Sequence, residues 1–279
     1  LGSGIDELLG LFVRLFAEAG DDVLTSLGAY PTFNYHVEGH GAILHKVPYR
    51  DDCEDLEGLA RAAGPLVPKL VYVANPDNPM GSWHTATAIE AFAAELPLGS
   101  VLLLDEAYAD FAPDDAIPAV DATRRHIVRL RTFSKAHGLA GARIGYAICH
   151  REVVEALDKV RNHFAVNRLA QAGALASLRD ESFVQSVVEQ VAQGRREYSA
   201  LARELGAVGL PSATNFVALD AGSSARAKAL VAALLARGVF VRMPGVAPLD
   251  RCIRISVGPA SERVLMAEIL RQVWRELGQ

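Results

Sequence analysis

Cysteine is scarce in this chain. Three among 279 residues, Cys53, Cys149 and Cys252, lie far apart and are odd in number. That excludes a disulfide framework, and no spacing among them matches a metal-ligand pattern, so no metal is expected. Reduced thiols, and with them a cytoplasmic location, are expected. Positive charge is in the minority too: 28 Lys and Arg stand against 33 Asp and Glu. The net charge of −5 leaves no basic field for nucleic acid or an anionic membrane. Anion recognition has to be local, made by a few placed arginines. No apolar run approaches the length of a membrane span. No charged-then-apolar leader, internal repeat or low-complexity linker is evident.

What is present is a folded composition, 51% hydrophobic and only 22% charged, long enough for one large domain or a large and a small one. Apolar runs at residues 22–26, 41–46, 69–73, 100–104, 127–130 and 143–148 read as strands. Helix-period segments at 55–62 and 85–94 separate several of them. Such alternation argues for an α/β fold with a largely parallel sheet covered by helices on both faces. From 151 to about 205 the pattern is almost wholly helical, with residues 167–178 rich in alanine and leucine. The chain closes on a strand at 215–219, a helix at 225–237, strands at 239–242 and 252–257, and a helix at 261–277. We expect a large domain at 1–150, connecting helices at 151–205 and a small C-terminal α/β domain at 206–279. The chain opens on Leu1, not Met, and Leu1-Gly-Ser-Gly-Ile-Asp-Glu7 runs straight into an apolar-periodic helix. An N-terminally incomplete sequence is therefore expected.

The most informative stretch is Arg131-Thr-Phe-Ser-Lys-Ala-His-Gly-Leu-Ala-Gly-Ala-Arg-Ile-Gly-Tyr146, directly after the apolar run 127–130. A lysine leaving a strand end among small residues suits a nucleophilic amine in a tight pocket. Ser134 and Arg143 beside it suit a phosphate anchor. Together they equip the turn to grip pyridoxal phosphate by an imine at one end and its phosphate at the other. By itself the segment Thr132-Phe-Ser-Lys135 reads as an ordinary loop with a solvated lysine; the rest of the chain decides otherwise.

Four further features bear on that choice. Asn75-Pro-Asp-Asn-Pro-Met-Gly81 follows the strand at 69–73, and its prolines hold a rigid turn at the sheet's C-terminal edge, where ligands of open α/β sheets bind. Asp105 ends the apolar run Val101-Leu-Leu-Leu104 and must face a cation once buried, either a protein arginine or a protonated cofactor nitrogen. Tyr108 lies three residues on, within reach of a cofactor oxygen. Tyr30-Pro-Thr-Phe-Asn-Tyr35 is an aromatic cluster at a strand-to-helix transition, whose Phe33 either packs in the core or stacks on a flat ring. Gly2-Ser-Gly4 opens the first helix, and the free amides of Ile5 and Asp6 would favour a phosphate.

Taken in order, these motifs resemble the fold-type-I, class I/II pyridoxal-phosphate aminotransferases, and most closely their histidinol-phosphate branch. The resemblance rests on Asn75–Gly81, Leu104-Asp-Glu-Ala-Tyr108, Arg131–Lys135 with Leu139–Arg143, and Ile253-Arg-Ile-Ser-Val-Gly258. It implies that Lys135 forms the imine with the cofactor and moves the substrate's Cα proton. Asp105 would keep the pyridine nitrogen protonated, and Asn78 and Tyr108 would hydrogen-bond its O3′. Phe33 would stack on the ring, while Thr132, Ser134, Arg143 and the Ile5 and Asp6 amides hold the phosphate. Arg254, with Asn78, would contact the substrate's anionic group. A homodimer acting on a small amino donor (histidinol-phosphate-like, aromatic or another amino acid) and a 2-oxo acid is implied as well.

Two departures stand out. Members carry an N-terminal arm, with a tyrosine that reaches the partner's cofactor phosphate, ahead of the point where this chain starts. The strand Asn215-Phe-Val-Ala-Leu-Asp220 ends in an acid where some histidinol-phosphate enzymes have a second arginine, a role open to Arg242 or Arg251. Alternative readings are a threonine-phosphate decarboxylase-like lyase and a non-catalytic effector domain of a regulator. The basic helix-turn-helix segment of such regulators is missing here.

Overall fold

The computed structural model describes residues 1–278; Gln279, the end of the expected small domain, lies outside the described residues. The chain runs α1 (Ile5–Phe16), β1 (Asp22–Leu27), α2 (Pro31–His40), β2 (Ile43–Pro48), α3 (Leu56–Leu66), β3 (Leu70–Ala74), α4 (Ala86–Glu95), β4 (Val101–Asp105), β5 (Ile127–Thr132) and β6 (Gly145–Ile148). Then follow α5 (Arg151–Leu157), α6 (Arg168–Arg179), α7 (Glu181–Glu204), β7 (Val208–Gly209), β8 (Phe216–Asp220), α8 (Ser224–Leu235), β9 (Cys252–Ser256) and α9 (Ala260–Glu276).

The six-stranded sheet has the order β2-β1-β3-β4-β5-β6, parallel except for β6. Its strands are apolar throughout because both faces are covered. Tyr72 and Leu103 point to the side packed by α1, α2 and α5. Their neighbours Val71, Val73, Leu102 and Leu104 point to α3 and α4, as the two-residue period of a strand requires. Side-chain caps fix where helices begin: Asp55 accepts from Gly58 N and Thr85 from Ala88 N.

The second sheet, β7-β8-β9, is antiparallel. Val217, Leu219, Ile253 and Ile255 face α7, α8 and α9. The alternate positions Phe216, Cys252 and Arg254 therefore turn toward the six-stranded sheet, and Phe216 packs on Tyr108. The expected strand at 239–242 is reduced to a single bridge, Arg242 to Arg254. Pro244 has no amide hydrogen to extend a ladder there. The two-residue β7 has no counterpart in the sequence reading.

Candidate active site

β3, β4 and β5 end side by side at Ala74, Asp105 and Thr132, and β1 and β3 part company after Leu24–Val71. The cleft opens at these carboxyl ends. Tyr30, Tyr72, Ala74, Asn78, Asp105, Tyr108, Thr132, Ser134, Lys135 and Arg143 line it, with Ile5 and Asp6 of α1. Nine of the anticipated residues thus converge on one space, and Arg254 lies at its border.

Asp105 is 5% exposed. Its Oδ2 accepts from the Tyr72 hydroxyl at 2.8 Å and its Oδ1 from Ala107 N at 2.9 Å. Burial raises its pKa to about 6, against the pull of those hydrogen bonds and the Lys135 charge. No arginine pairs with it among the described residues. The nearby guanidiniums, Arg129 at 2.5 Å and Arg131 at 2.9 Å, serve the adjacent Glu106 instead. A buried acid with no salt-bridge partner among the described residues is what a cationic ring nitrogen requires.

Lys135 Nζ stands 5.2 Å from the centre of the Tyr108 ring. Burial lowers its pKa, and Asp105 opposes this. Tyr108 is itself buried edge-on to Phe216 at 5.5 Å, which pushes its hydroxyl pKa up. Asn78 Oδ1 accepts from Arg254 Nη1, leaving its Nδ2 without a partner among the described residues. The Arg254 guanidinium lies 4.7 Å from the centre of the Phe216 ring, and burial lowers its pKa.

At the opposite end of the cleft the helix α1 begins without a side-chain cap. Its first amides are free, and its positive dipole end favours an anion. Thr132 Oγ1 donates to Ser134 Oγ at 2.9 Å, and Arg143 Nη2 lies 3.7 Å from Asp6 Oδ2. Gly4 has φ +86°, a backbone conformation that favours glycine, and a Cβ there would crowd the Arg143 guanidinium.

One anticipated residue is misplaced. Phe33 is fully buried and stacks on Tyr72 at 4.7 Å, away from the cleft. The aromatic that borders the cleft is Tyr30, whose hydroxyl donates to Asp6 at 2.9 Å. It sits just before Pro31 at the start of α2, a signal for the strand-to-helix junction that the three aromatics of 30–35 obscure. Tyr72 was also missed, being a polar tip within an apolar strand run. Of the two candidate second arginines, Arg251 is held by Asp52 at 2.6 Å and Asp220 at 2.7 Å. Arg242 has no acidic partner among the described residues and lines an adjoining pocket with Tyr30, Asn78 and Arg254.

The sequence model of the family described as "Aminotransferase class I and II" matches residues 1–273, and the chain belongs to that family. It is a pyridoxal-phosphate-dependent aminotransferase acting on small molecules, with the family's α/β fold. Among its relatives, histidinol-phosphate aminotransferase 2 of Ralstonia nicotianae is 38% identical over 266 residues, 94% of this chain and 71% of that protein. Histidinol-phosphate aminotransferase of Roseiflexus castenholzii is 37% identical over 276 residues, 98% of this chain and 73% of that protein. A crystal structure of histidinol-phosphate aminotransferase from Sinorhizobium meliloti, in complex with pyridoxal 5′-phosphate, superposes with TM-score 0.96. It is 52% identical, over 99% of this chain and 76% of that one. No described helix is long and apolar enough to cross a membrane.

Proposed function

We propose that this enzyme takes histidinol phosphate as amino donor and passes the amino group to a 2-oxo acid. The observation that carries this is the pair Arg242 and Arg254. Both guanidiniums lack an acidic partner among the described residues, and both line the pocket that adjoins the cleft. Two such forks suit a phosphate dianion better than a single carboxylate. The names of the relatives point the same way.

Pyridoxal phosphate supplies, when bound, a ring that accepts the electron pair of the substrate's Cα–H bond. The residues fit that group. Asp105, buried with no salt-bridge partner among the described residues, would hold the ring nitrogen protonated. Lys135, whose amine burial makes less basic, anchors the cofactor and takes the proton from Cα on its Nζ. Asn78 Nδ2 and the Tyr108 hydroxyl donate to the ring oxygen, and Tyr30, in place of Phe33, offers an aromatic face. Thr132, Ser134, Arg143 and the amides of Ile5 and Asp6 hold the phosphate. In this reading residues 1–150 bind the cofactor, 151–205 connect, and 206–279 bring Arg254 to the cleft. We further read the chain as one subunit of a cytoplasmic homodimer. The nearly fully exposed Phe164 and Leu169 on the surface next to Ala165, which accepts from Ser3, support the dimer. The three free cysteines agree with the compartment.

The test is donor selectivity. Histidinol phosphate should be converted to the corresponding ketone far faster than histidinol. Arg242→Met should raise KM for histidinol phosphate roughly tenfold or more, with little change for histidinol. Equal turnover of the two donors by the unaltered enzyme would overturn the assignment.

A further inference from the structure

Among the described residues Asp105 accepts from two protein donors, one of which is a side chain. That side chain is Tyr72, in the middle of β3, fully buried among apolar neighbours. A phenol in such a place requires a partner for its hydroxyl, and Asp105 Oδ2 at 2.8 Å is that partner. The ring is fixed from the other side, since Phe33 of α2 stacks on it at 4.7 Å with the planes 15° apart. The backbone carbonyl of Tyr72 is tied to β1 through the Thr25 hydroxyl at 3.2 Å. The hydroxyl is therefore delivered by a rigid stack, and Ala107 N occupies the other carboxylate oxygen.

We propose that Tyr72 is a positioning residue for the reaction: stacked on Phe33, it aims the Asp105 carboxylate into the cleft and keeps it ionised. This rests on the reading of Asp105 as the acid that faces the cofactor's ring nitrogen. The physical need is clear from the surroundings of Asp105. Burial drives the carboxyl toward its neutral form, and the charge of Asp6 pushes the same way, while the Asp105 charge in turn raises the pKa of Glu54. Lys135 opposes them, as do the hydrogen bonds from Tyr72 and Ala107. The hydroxyls of Tyr30 and Tyr108 face the same space but stay protonated, because burial raises both. Tyr72 stays protonated for the same reason, and so remains a donor at every working pH. A donor to a charged carboxylate favours the ionised form, and its loss raises the carboxyl pKa. Phe33 thus has a part in the site without entering it.

Tyr72→Phe keeps the ring and its stack and deletes only the donor. In the cofactor-free protein, Asp105 is followed by infrared titration of its protonated carboxyl band, assigned by its disappearance in Asp105→Asn. Its midpoint should lie near pH 6 in the parent and move up by about one pH unit, tenfold in proton affinity, in Tyr72→Phe. In the loaded enzyme the acid limb of the rate profile should rise in the same variant, with kcat reduced more than KM for the donor. Phe33→Leu, which loosens the stack but leaves the hydroxyl, should shift both midpoints in the same direction by a smaller amount. An unchanged Asp105 midpoint in Tyr72→Phe would overturn the proposal. Near-native turnover of Asp105→Asn would instead refute the role given to Asp105, leaving the infrared result to judge Tyr72.

Discussion

Lys135 shows how one residue acquires its chemistry from its surroundings. Desolvation disfavours its ammonium form more than the charge of Asp105 favours it, so its amine is easier to free than that of a surface lysine. Borohydride reduction of the cofactor-loaded protein should fix the pyridoxyl group on Lys135, as read by peptide mapping. A label on Lys46, Lys69, Lys159 or Lys228 would remove Lys135 from the centre of the site. The lysine was legible because a Ser-Lys pair left an apolar run with an arginine eight residues on. Phe33 against Tyr30 was not. Three aromatics within six residues all suit an aromatic wall, and only the phase of α2, with Tyr30 at its N-cap and Phe33 inside its first turn, decides which one meets the cleft.

At the scale of elements, the fork between β1 and β3 needs a filler, and the filler is acidic. Glu54 accepts from the Ser26 hydroxyl on β1 at 2.7 Å and from Ala74 N of β3 at 3.0 Å, an amide the ladder leaves unpaired. Asp77 lies against it and ties the turn that carries Asn78, accepting from Tyr49 at 2.7 Å and Met80 N at 3.0 Å. Burial raises the pKa of both acids, that of Asp77 to about 7. The folded chain therefore binds more protons than the unfolded chain, whose aspartates titrate near pH 4 (roughly 3.9). The part of this due to Asp77 should make stability fall as pH rises from roughly 4 to 7, since the unfolded state binds fewer protons in this window. Urea midpoints at pH 5 and pH 7.5 check this, and Asp77→Asn should reduce the difference, Asp105 and Glu54 supplying the rest. A parent protein equally stable at both values would show that Asp77 ionises freely in the fold. The strands of the six-stranded sheet, with β8 and β9, were legible from their apolar runs to within about two residues. This pair was not, because a Glu in a loop and an Asp in a turn carry no periodicity, and nothing local marks them as buried.

For the whole molecule, what matters is how β9 is held over the six-stranded sheet, because Arg254 rides on it. Apolar contact supplies part of this: Met80 of the Asn75–Gly81 turn packs with Ala218, Leu249 and Cys252. Gly81 allows close approach of Ser212, which a Cβ would meet at 2.6 Å. The polar part is Arg251, one residue before β9, gripping Asp52 from the β2–α3 connection and Asp220 at the end of β8. The three side chains are only about a quarter exposed (25%, 23% and 21%), so the bridge is shielded more than a surface pair. Deleting the cation would leave two carboxylates facing each other. Arg251→Met should therefore lower the melting temperature by a few degrees, for a loss of about 1–2 kcal/mol. It should also raise KM for the amino donor with cofactor affinity unchanged, because Arg254 moves with β9 while the Lys135 end does not. Calorimetry should show the single transition broadening toward two as the sheets uncouple. If melting, KM and the transition all match the parent, the two sheets are joined by their apolar contact alone, and the bridge adds nothing to the placement of Arg254.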